Sequence, residues 1–338
     1  MTAQMSQPTP TLFFETVTAY QRSEAIKSAI ELDLFSAIGE GNHTAAQIAV
    51  RCQASERGAR ILCDYLTMIG FLTKDGNSYR LTQDSAVFLD RRSPAYLGGA
   101  LEFMLSDHII ESFRNLTDAV RQGGTATPDE GSLTPEHPVW VKFARAMAPM
   151  MRPVAVAIAQ LIDPEANRKL KILDIAASHG LFGIAFATRN PRVEIVGVDW
   201  ANVLELSKEN AKAAGVANHH STISGSAFEV DYGSGYDVVL LTNFLHHFDP
   251  PTNESLLRKV HAALAEGGRA VTLEFLPNDD RVSPQGVAGF SLTMLAGTPS
   301  GDAYTFAEFE EMFKNAGFAK SELHEIPPAI QQLIVSQK

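Results

Sequence analysis

The stretch KILDIAASHGLFG, residues 171–183, constrains the fold more than any other part of the chain. An apolar run closes on Asp174, a few small residues turn the chain, and an apolar helical segment starts at once. The same grammar recurs downstream. Strands are predicted at Lys171–Ile175, Glu194–Val198, Ser221–Ser224, Asp237–Leu241 and Arg269–Phe275, with helical segments after most of them. Strands that alternate with helices build a mostly parallel sheet covered on both faces. Ligands of such a sheet sit beyond the carboxyl ends of its strands, so the residues that carry chemistry are sought there.

The first hundred residues follow a different pattern. Ile61, Leu62, Tyr65, Leu66 and Ile69 share one helical face behind Ser55, a predicted N-cap, and a short helix begins at Thr44. GFLTKDGNSYRLT then supplies two short strands around Asp75-Gly76-Asn77. Helices followed by a hairpin outline a winged helix-turn-helix, a fold that either reads DNA or serves packing and dimerisation. Charge separates the two uses: residues 1–100 hold nine Lys/Arg against ten Asp/Glu, with Glu56 and Asp64 on the would-be reading helix. Nothing there anchors phosphates, and the net charge of −11 points the same way, so no nucleic-acid partner is expected.

A predicted helical stretch over 98–121 leads into the loop QGGTATPDEGSLTPEHP, and a long helix over VWVKFARAMAPMMRPVAVAIAQLI follows. Three regions are expected: a winged-helix-like unit over 1–100, a connector with a substrate loop over 101–168, and the alternating unit over 169–338. No apolar run reaches the roughly eighteen residues of a membrane span, and MTAQMSQPTP does not read as a signal peptide. Cys52 and Cys63 stand in neither a disulfide nor a metal-binding context. A cytoplasmic protein without membrane attachment is expected.

Asp174 and Asp199, 25 positions apart, both close predicted strands, and an acid at the second strand end can accept hydrogen bonds from ribose hydroxyls. Each alone could merely end a strand or cap a helix. The glycines that bring backbone amides against a pyrophosphate are reduced to Gly180 and Gly183. A nucleoside without pyrophosphate remains, and S-adenosylmethionine fits, because its sulfonium and amino-acid tail need no anion cradle. SGSAF (Ser224–Phe228) and LLTNFLHHF (Leu240–Phe248) fall at the next strand ends.

With these motifs residues 170–336 resemble class I S-adenosylmethionine-dependent methyltransferases. The whole chain resembles the dimeric small-molecule O-methyltransferases typified by caffeic acid, isoflavone and acetylserotonin O-methyltransferases. LDIAASHG stands for the family's Leu-Asp-Val-Gly-Gly-Gly-x-Gly, GVD for its ribose acid, FLHHF for its His-Asp-Trp and TLEF for a catalytic Glu, with TFAEFEEMFKNAGF near the C-terminus. The resemblance implies an α/β fold with a Rossmann-like, mostly parallel seven-stranded sheet, and an N-terminal, mainly helical winged-helix-like unit through which homodimers form. It implies S-adenosyl-L-methionine held by Asp174, Ala176, Gly180, Asp199, Trp200, Ser226, Ala227, Phe228, Thr242 and Asn243. A small-molecule acceptor would be lined by Phe143, Met147, His247, Phe290 and Met294.

Three departures stand out. Ala176 and Ser178 replace glycines, which is tolerable where φ is negative; Ser226 replaces the usual carboxylate near adenine; and Ala303 replaces a second catalytic Glu, with Asp302 and Tyr304 as possible substitutes. A phenol is a poor nucleophile until a base takes its proton. His246 matches the family's base by position, and Glu274, a carboxylate in the otherwise apolar AVTLEFL, would orient it. Methyl transfer to a phenolic or enolic hydroxyl is the expected reaction. Carbon or nitrogen methylation and a ligand-sensing regulator without turnover are the alternatives. No catalytic metal is expected, since no ligand cluster accompanies the two histidines.

Overall fold

The computed structural model describes residues 8–127 and 134–338. The chain divides into two compact units, Met1–Leu101 and Glu102–Lys338. Residues 128–133 of the predicted 122–138 loop lie outside the described residues.

The first unit comprises α1 (Thr11–Val17), α2 (Tyr20–Glu31), α3 (Leu34–Gly39), α4 (Ala45–Arg51), α5 (Glu56–Met68), the antiparallel hairpin β1 (Leu72–Asp75) and β2 (Ser78–Leu81), and α6 (Gln83–Phe88). Thr44 starts α4 with a reciprocal cap: its hydroxyl accepts from the Gln47 N–H while the Gln47 side chain accepts from the Thr44 N–H. Ser55 caps α5 through the Gly58 N–H. Phe35, Ile38, Ile48, Cys63, Leu66 and Tyr79 fill the interior. Asp64, on the would-be reading helix, is spent within this unit: it accepts from the Tyr79 hydroxyl at 2.7 Å and pairs with Lys74 at 2.6 Å and Arg60 at 3.0 Å. Both cysteines are buried and free, and burial pushes the Cys63 thiol up to about 12. On α1, by contrast, Leu12, Phe13, Phe14 and Val17 are all exposed, as is Tyr20 at the start of α2.

The boundary between the units falls among short helices where the sequence predicts one helical stretch over 98–121. A 3₁₀ turn at Gly98–Ala100 precedes α7 (Leu101–Met104), α8 (Asp107–Arg114) and α9 (Leu116–Gln122). Polar residues break the run: the Ser106 hydroxyl caps α8, and Asn115 ends α8 and begins α9. The long helix α10 (Val139–Ile162) follows. Then come β3 (Leu170–Ile175), α11 (Leu181–Arg189), β4 (Val193–Asp199), α12 (Ala201–Ala213), β5 (His220–Ser224), β6 (Tyr236–Thr242), α13 (Pro250–Ala263) and β7 (Leu264–Glu274). The chain finishes with α14 (Gln285–Ala288), α15 (Phe290–Gly297), α16 (Phe306–Asn315), β8 (Lys320–Glu325) and β9 (Gln332–Gln337).

These strands form one seven-stranded sheet in the order β5-β4-β3-β6-β7-β9-β8. The first five run parallel; β9 lies antiparallel to β7, and β8 antiparallel to β9. Side chains alternate across it. Ile172, Ile195, Leu240 and Leu273 face α10 and α11, while Leu173, Val198, Leu241 and Ile334 face α13 and α16. The chain winds outward from β3 to β5 and returns to β6 on the other side, so a crevice opens where the order reverses. No helix among the described residues is long and apolar enough to cross a membrane.

Candidate active site

The carboxyl ends of β3, β4, β5 and β6 surround a cavity of about 550 Å³. At β3 the chain leaves the sheet through a turn in which alternate residues are left-handed: Ala176 at φ +55°, Ser178 at +52° and Gly180 at +71°. The condition under which Ala176 and Ser178 would be readily tolerated, a negative φ, is therefore not met. Hydrogen bonds hold the turn there. Ala177 N–H donates to the Val198 carbonyl at 3.1 Å, Ser178 N–H to Asp199 Oδ2 at 2.8 Å, and Gly180 N–H to the Ala177 carbonyl at 2.7 Å. The geometry also separates the glycines that remain from those replaced. A Cβ on Gly180 would lie 2.2 Å from Ser207 Oγ, and one on Gly183 2.8 Å from Ile195 Cγ2. At these two positions space itself demands glycine, whereas Ala176 and Ser178 bear only the conformational penalty.

Two carboxylates lie under this turn. Asp174 is fully buried; Oδ2 accepts from Gly183 N–H at 3.2 Å, while Oδ1 has no partner among the described residues. Burial pushes its pKa up to about 7, with the Gly183 N–H pulling the other way and Asp199 adding to the rise. Asp199 accepts Ser178 N–H on Oδ2 and Trp200 N–H on Oδ1, at 2.8 and 2.7 Å. Burial raises it to about 6 against these two donors. Both groups keep unused acceptor capacity, and Asp199 directs its share to the cavity wall.

At the ends of β6 and β7 a side chain organises the backbone. Asn243 is left-handed at φ +54°, a conformation asparagine tolerates. Its N–H donates to the Leu273 carbonyl at 2.8 Å. The chain then coils through a 3₁₀ turn, Leu245–His247. Glu274, fully buried as the last residue of β7, accepts on Oε1 from the N–H groups of Phe244 (3.0 Å), Leu245 (2.8 Å) and His246 (3.4 Å). Its Oε2 lies 2.5 Å from His246 Nδ1. An acceptor-only carboxylate places the ring hydrogen on Nδ1 and leaves Nε2 its lone pair. His247 Nδ1 meets the Phe244 carbonyl at 3.0 Å, which fixes the same tautomer. Burial, and secondarily the neighbouring His246, hold the His247 imidazole well below its usual pKa. Buried Asn253 fastens the turn from below by donating to the Leu245 and Phe248 carbonyls.

Of the residues singled out in the sequence, Phe143, Ala176, Asp199, Trp200, Ser226, Ala227, Phe228, Thr242, Asn243 and His247 lie on the cavity wall. Asp174, Gly180 and Glu274 stand behind it. His246 sits at one side, its ring edge-on to Phe290 at 4.9 Å, and Phe290 stacks on Phe275 at 4.1 Å. Met294 is buried on α15, and Met147, on α10, packs against the core. Asp302 touches His246 only through its backbone, its N–H donating to the His246 carbonyl at 3.0 Å, while its carboxylate pairs with Arg281 at 3.3 Å; the Tyr304 hydroxyl donates to the Phe248 carbonyl at 2.7 Å. Trp140, Met151, His179 and Phe182 also line the cavity. Trp140 and Met151 were legible as the continuation of the helical spacing of Phe143 and Met147; His179 and Phe182 had no comparable signal.

Comparison with known proteins agrees with this architecture. Residues 113–319 match the O-methyltransferase domain, and residues 14–91 match the O-methyltransferase dimerisation domain. A 3-hydroxy-5-methyl-1-naphthoate 3-O-methyltransferase of Streptomyces sahachiroi is 30% identical over 317 residues, covering 91% of this chain and 89% of that protein. A candidate O-methyltransferase of Nostoc punctiforme PCC 73102, known from its crystal structure, is 59% identical with a TM-score of 0.95, over 98% of this chain and 100% of the other. Human N-acetylserotonin methyltransferase, solved in complex with S-adenosylmethionine, shares the fold at 21% identity and a TM-score of 0.82, over 100% and 99% of the two chains. The chain belongs to the family of S-adenosylmethionine-dependent O-methyltransferases and carries that family's dimerisation domain.

Proposed function

We propose that this enzyme methylates a phenolic or enolic hydroxyl of a small acceptor, with His246 as general base and Glu274 as the group that orients it. The observation that carries this reading is Glu274: a fully buried carboxylate at a strand end, holding three backbone N–H groups and His246 Nδ1 at 2.5 Å. Such an arrangement fixes an imidazole in position and stabilises the charge it gains on taking a proton. The Streptomyces relative, by its name, methylates a ring hydroxyl, which supports the same acceptor chemistry.

The cavity suits the methyl donor on two counts. Asp199 faces it with acceptor capacity unfilled, and Ser178 Oγ, on its wall, is buried without a partner among the described residues. Asp199 would accept the ribose hydroxyls. Ser226, Ala227, Phe228 and Trp200 would flank the adenine, and Ala176, Thr242 and Asn243 the methionine portion, while Asp174 and Gly180 shape the turn beneath. When bound, the donor supplies a methyl group on a positively charged sulfur. His246 Nε2 would take the proton of the acceptor hydroxyl, and Glu274 would hold the resulting imidazolium. Phe143, Met147, Phe290 and Met294 would shape the acceptor's surroundings. The exposed apolar face of α1, within or beside the matched dimerisation segment, supports a homodimer formed through the first unit.

The test is transfer of labelled methyl to a panel of phenols, together with calorimetry of S-adenosylhomocysteine. Micromolar product binding and turnover are expected. Product binding without turnover of any hydroxyl acceptor would favour carbon or nitrogen methylation or a ligand sensor, and NADH binding without product binding would overturn the reading altogether. Light scattering at micromolar concentration should give a dimer.

A further inference from the structure

Lys259 stands behind the cavity, on α13. Its ammonium is given to backbone: it donates to the Ala227 carbonyl at 3.1 Å and the Val230 carbonyl at 2.6 Å, and lies 4.1 Å over the ring of Tyr232. The Tyr232 hydroxyl donates to the Ala227 carbonyl as well. An exposed lysine keeps its water and gains little from any one contact. This one is half-buried, and burial pushes its pKa down against the charges of Asp231 and Glu229. Two carbonyls and a ring face take the place of the lost water.

Both carbonyls belong to the turn after β5, whose residues Gly225, Ser226, Ala227, Phe228 and Glu229 line the cavity. Within it the Glu229 and Val230 N–H groups donate to the Ser226 carbonyl at 3.0 Å, and Gly225 N–H donates to the Asp199 carbonyl at 3.0 Å. Those bonds shape the turn; Lys259 ties it to α13. The same helix holds the opposite side of the cavity. It starts at the Asp249 cap, directly after the 3₁₀ turn of His246, and its Asn253 donates to the Leu245 and Phe248 carbonyls. Asn253 and Lys259 stand about 9 Å apart along the helix axis, and Leu256 and Leu257 between them are buried in the core beneath the sheet. Phe228 of one turn meets Phe248 of the other edge-on at 4.9 Å. We propose that Lys259 is a positioning residue: through α13 it sets the turn that receives the adenosine end of the donor in register with the turn that carries His246. The inference rests on the placing of the donor in this cavity. Without the ammonium the turn after β5 keeps its own hydrogen bonds and loses its tie to α13, so affinity for adenosine and its alignment with His246 suffer together.

The experiment compares Lys259→Met, which keeps the stem and removes the donors, with Arg258→Met, which removes a charge from the exposed neighbour on the same helix. Calorimetry on the full-length enzyme uses two probes: S-adenosylhomocysteine, and 5′-methylthioadenosine, which has the adenosine end and no amino-acid tail. Lys259→Met is expected to weaken both by about tenfold, and Arg258→Met to leave both within about twofold of wild type. With donor saturating, kcat of Lys259→Met should fall by about tenfold, since a turn out of register misplaces a donor that is bound. Wild-type affinity for both probes overturns the proposal, whatever the urea midpoint does, and leaves Lys259 a structural role alone. A loss confined to S-adenosylhomocysteine overturns it by placing the effect at the tail, and a kcat unchanged at saturating donor overturns the coupling to His246. Should Lys259→Met fail to fold, Lys259→Gln, whose shorter neutral amide keeps a donor, is expected to show smaller losses of the same kind and is judged by the same criteria. Failure of the wild type to bind S-adenosylhomocysteine would instead overturn the assignment of the cavity to the donor, and is read before any variant.

Discussion

The two sides of the cavity are built by opposite means. Along β3, β4 and β5 the backbone does the shaping: left-handed residues at 176, 178 and 180, and again at Gly225, direct N–H groups towards carboxylates and carbonyls of the neighbouring strand. Along β6 and β7 one side chain, Glu274, gathers the backbone around itself. The three acids differ in their donors: Asp174 has one N–H, Asp199 has two, and Glu274 has three together with an imidazole. A buried acid short of donors is costly in the empty protein, and a ligand that supplies the missing donors recovers that cost. On the proposed reading the first side is completed by a ligand, whereas the second is complete beforehand, as the proposed base would require.

The sharpest way to break this contrast is to remove a group from the completed side. His246→Ala is expected to lower turnover by about 10²–10⁴, the usual cost of losing a general base. S-adenosylhomocysteine affinity, measured by calorimetry, should stay near wild type. With a phenolic acceptor, turnover should recover in part at high pH as the phenol ionises unaided near pH 10. Glu274→Gln tests the same side through its donors. An amide with its NH₂ towards the backbone meets three N–H groups, and one with its NH₂ towards His246 gives up the charged hydrogen bonds and forces the ring hydrogen onto Nε2. Urea unfolding should show a loss of about 1–3 kcal/mol, and turnover should fall by less than in His246→Ala.

On the unfinished side, Asp199→Ala is expected to weaken S-adenosylhomocysteine binding by about 10- to 100-fold, the value of hydrogen bonds to a charged group. In the wild type the same affinity should fall as pH drops through about 6, where burial has raised this acid, because protonation removes the acceptor proposed for the ribose hydroxyls. Asp174 gives a stability effect of defined sign. Its folded pKa, about 7, lies above the ordinary 3.8, so between these values the folded protein holds a proton that the unfolded chain releases. Its contribution to stability therefore falls as pH rises through this window. Asp174→Asn keeps an acceptor for Gly183 N–H and has no charge to bury. Its urea midpoint should exceed that of wild type at pH 8, with the gap closing towards pH 4; a constant gap would place the titration elsewhere.

The same contrast accounts for what could be read from the sequence. The sheet was legible because its strands alternate with helices, and the observed strands start or end within a few residues of the predicted ones, the exception being β7, which begins at Leu264 rather than Arg269. Glu274 and His246 were legible because a buried carboxylate and a histidine at adjacent strand ends carry their chemistry in their side chains. The ligand turn was less so. Its left-handed residues are alanine and serine, types that ordinarily signal nothing of the kind, and only the cross-strand bonds to Val198 and Asp199 impose the conformation. The break-up of the 98–121 helix at Ser106 and Asn115 shows the same limit from the other side, since both residues are polar enough to cap but common enough inside helices to pass unnoticed.

The smallest expected effect concerns that turn. Left-handed backbone costs a residue with a Cβ about 1–2 kcal/mol relative to glycine, whereas glycine gives back about 0.5–1 kcal/mol through the greater freedom of the unfolded chain. Ala176→Gly should accordingly stabilise the protein by no more than about 1 kcal/mol. Ser178→Gly removes the same strain and, in addition, a buried hydroxyl without a partner, so its gain should be the larger of the two. The order should reverse in ligand binding. If Ser178 Oγ is left unpaired because the ligand completes it, Ser178→Gly weakens S-adenosylhomocysteine binding several-fold, while Ala176→Gly, which removes only a methyl group, leaves it within about twofold. Thermal unfolding and calorimetry on the two variants separate the outcomes. A turn that is only strained shows both stability gains without a loss of affinity, and a turn completed by its ligand shows the larger gain and the loss together at Ser178.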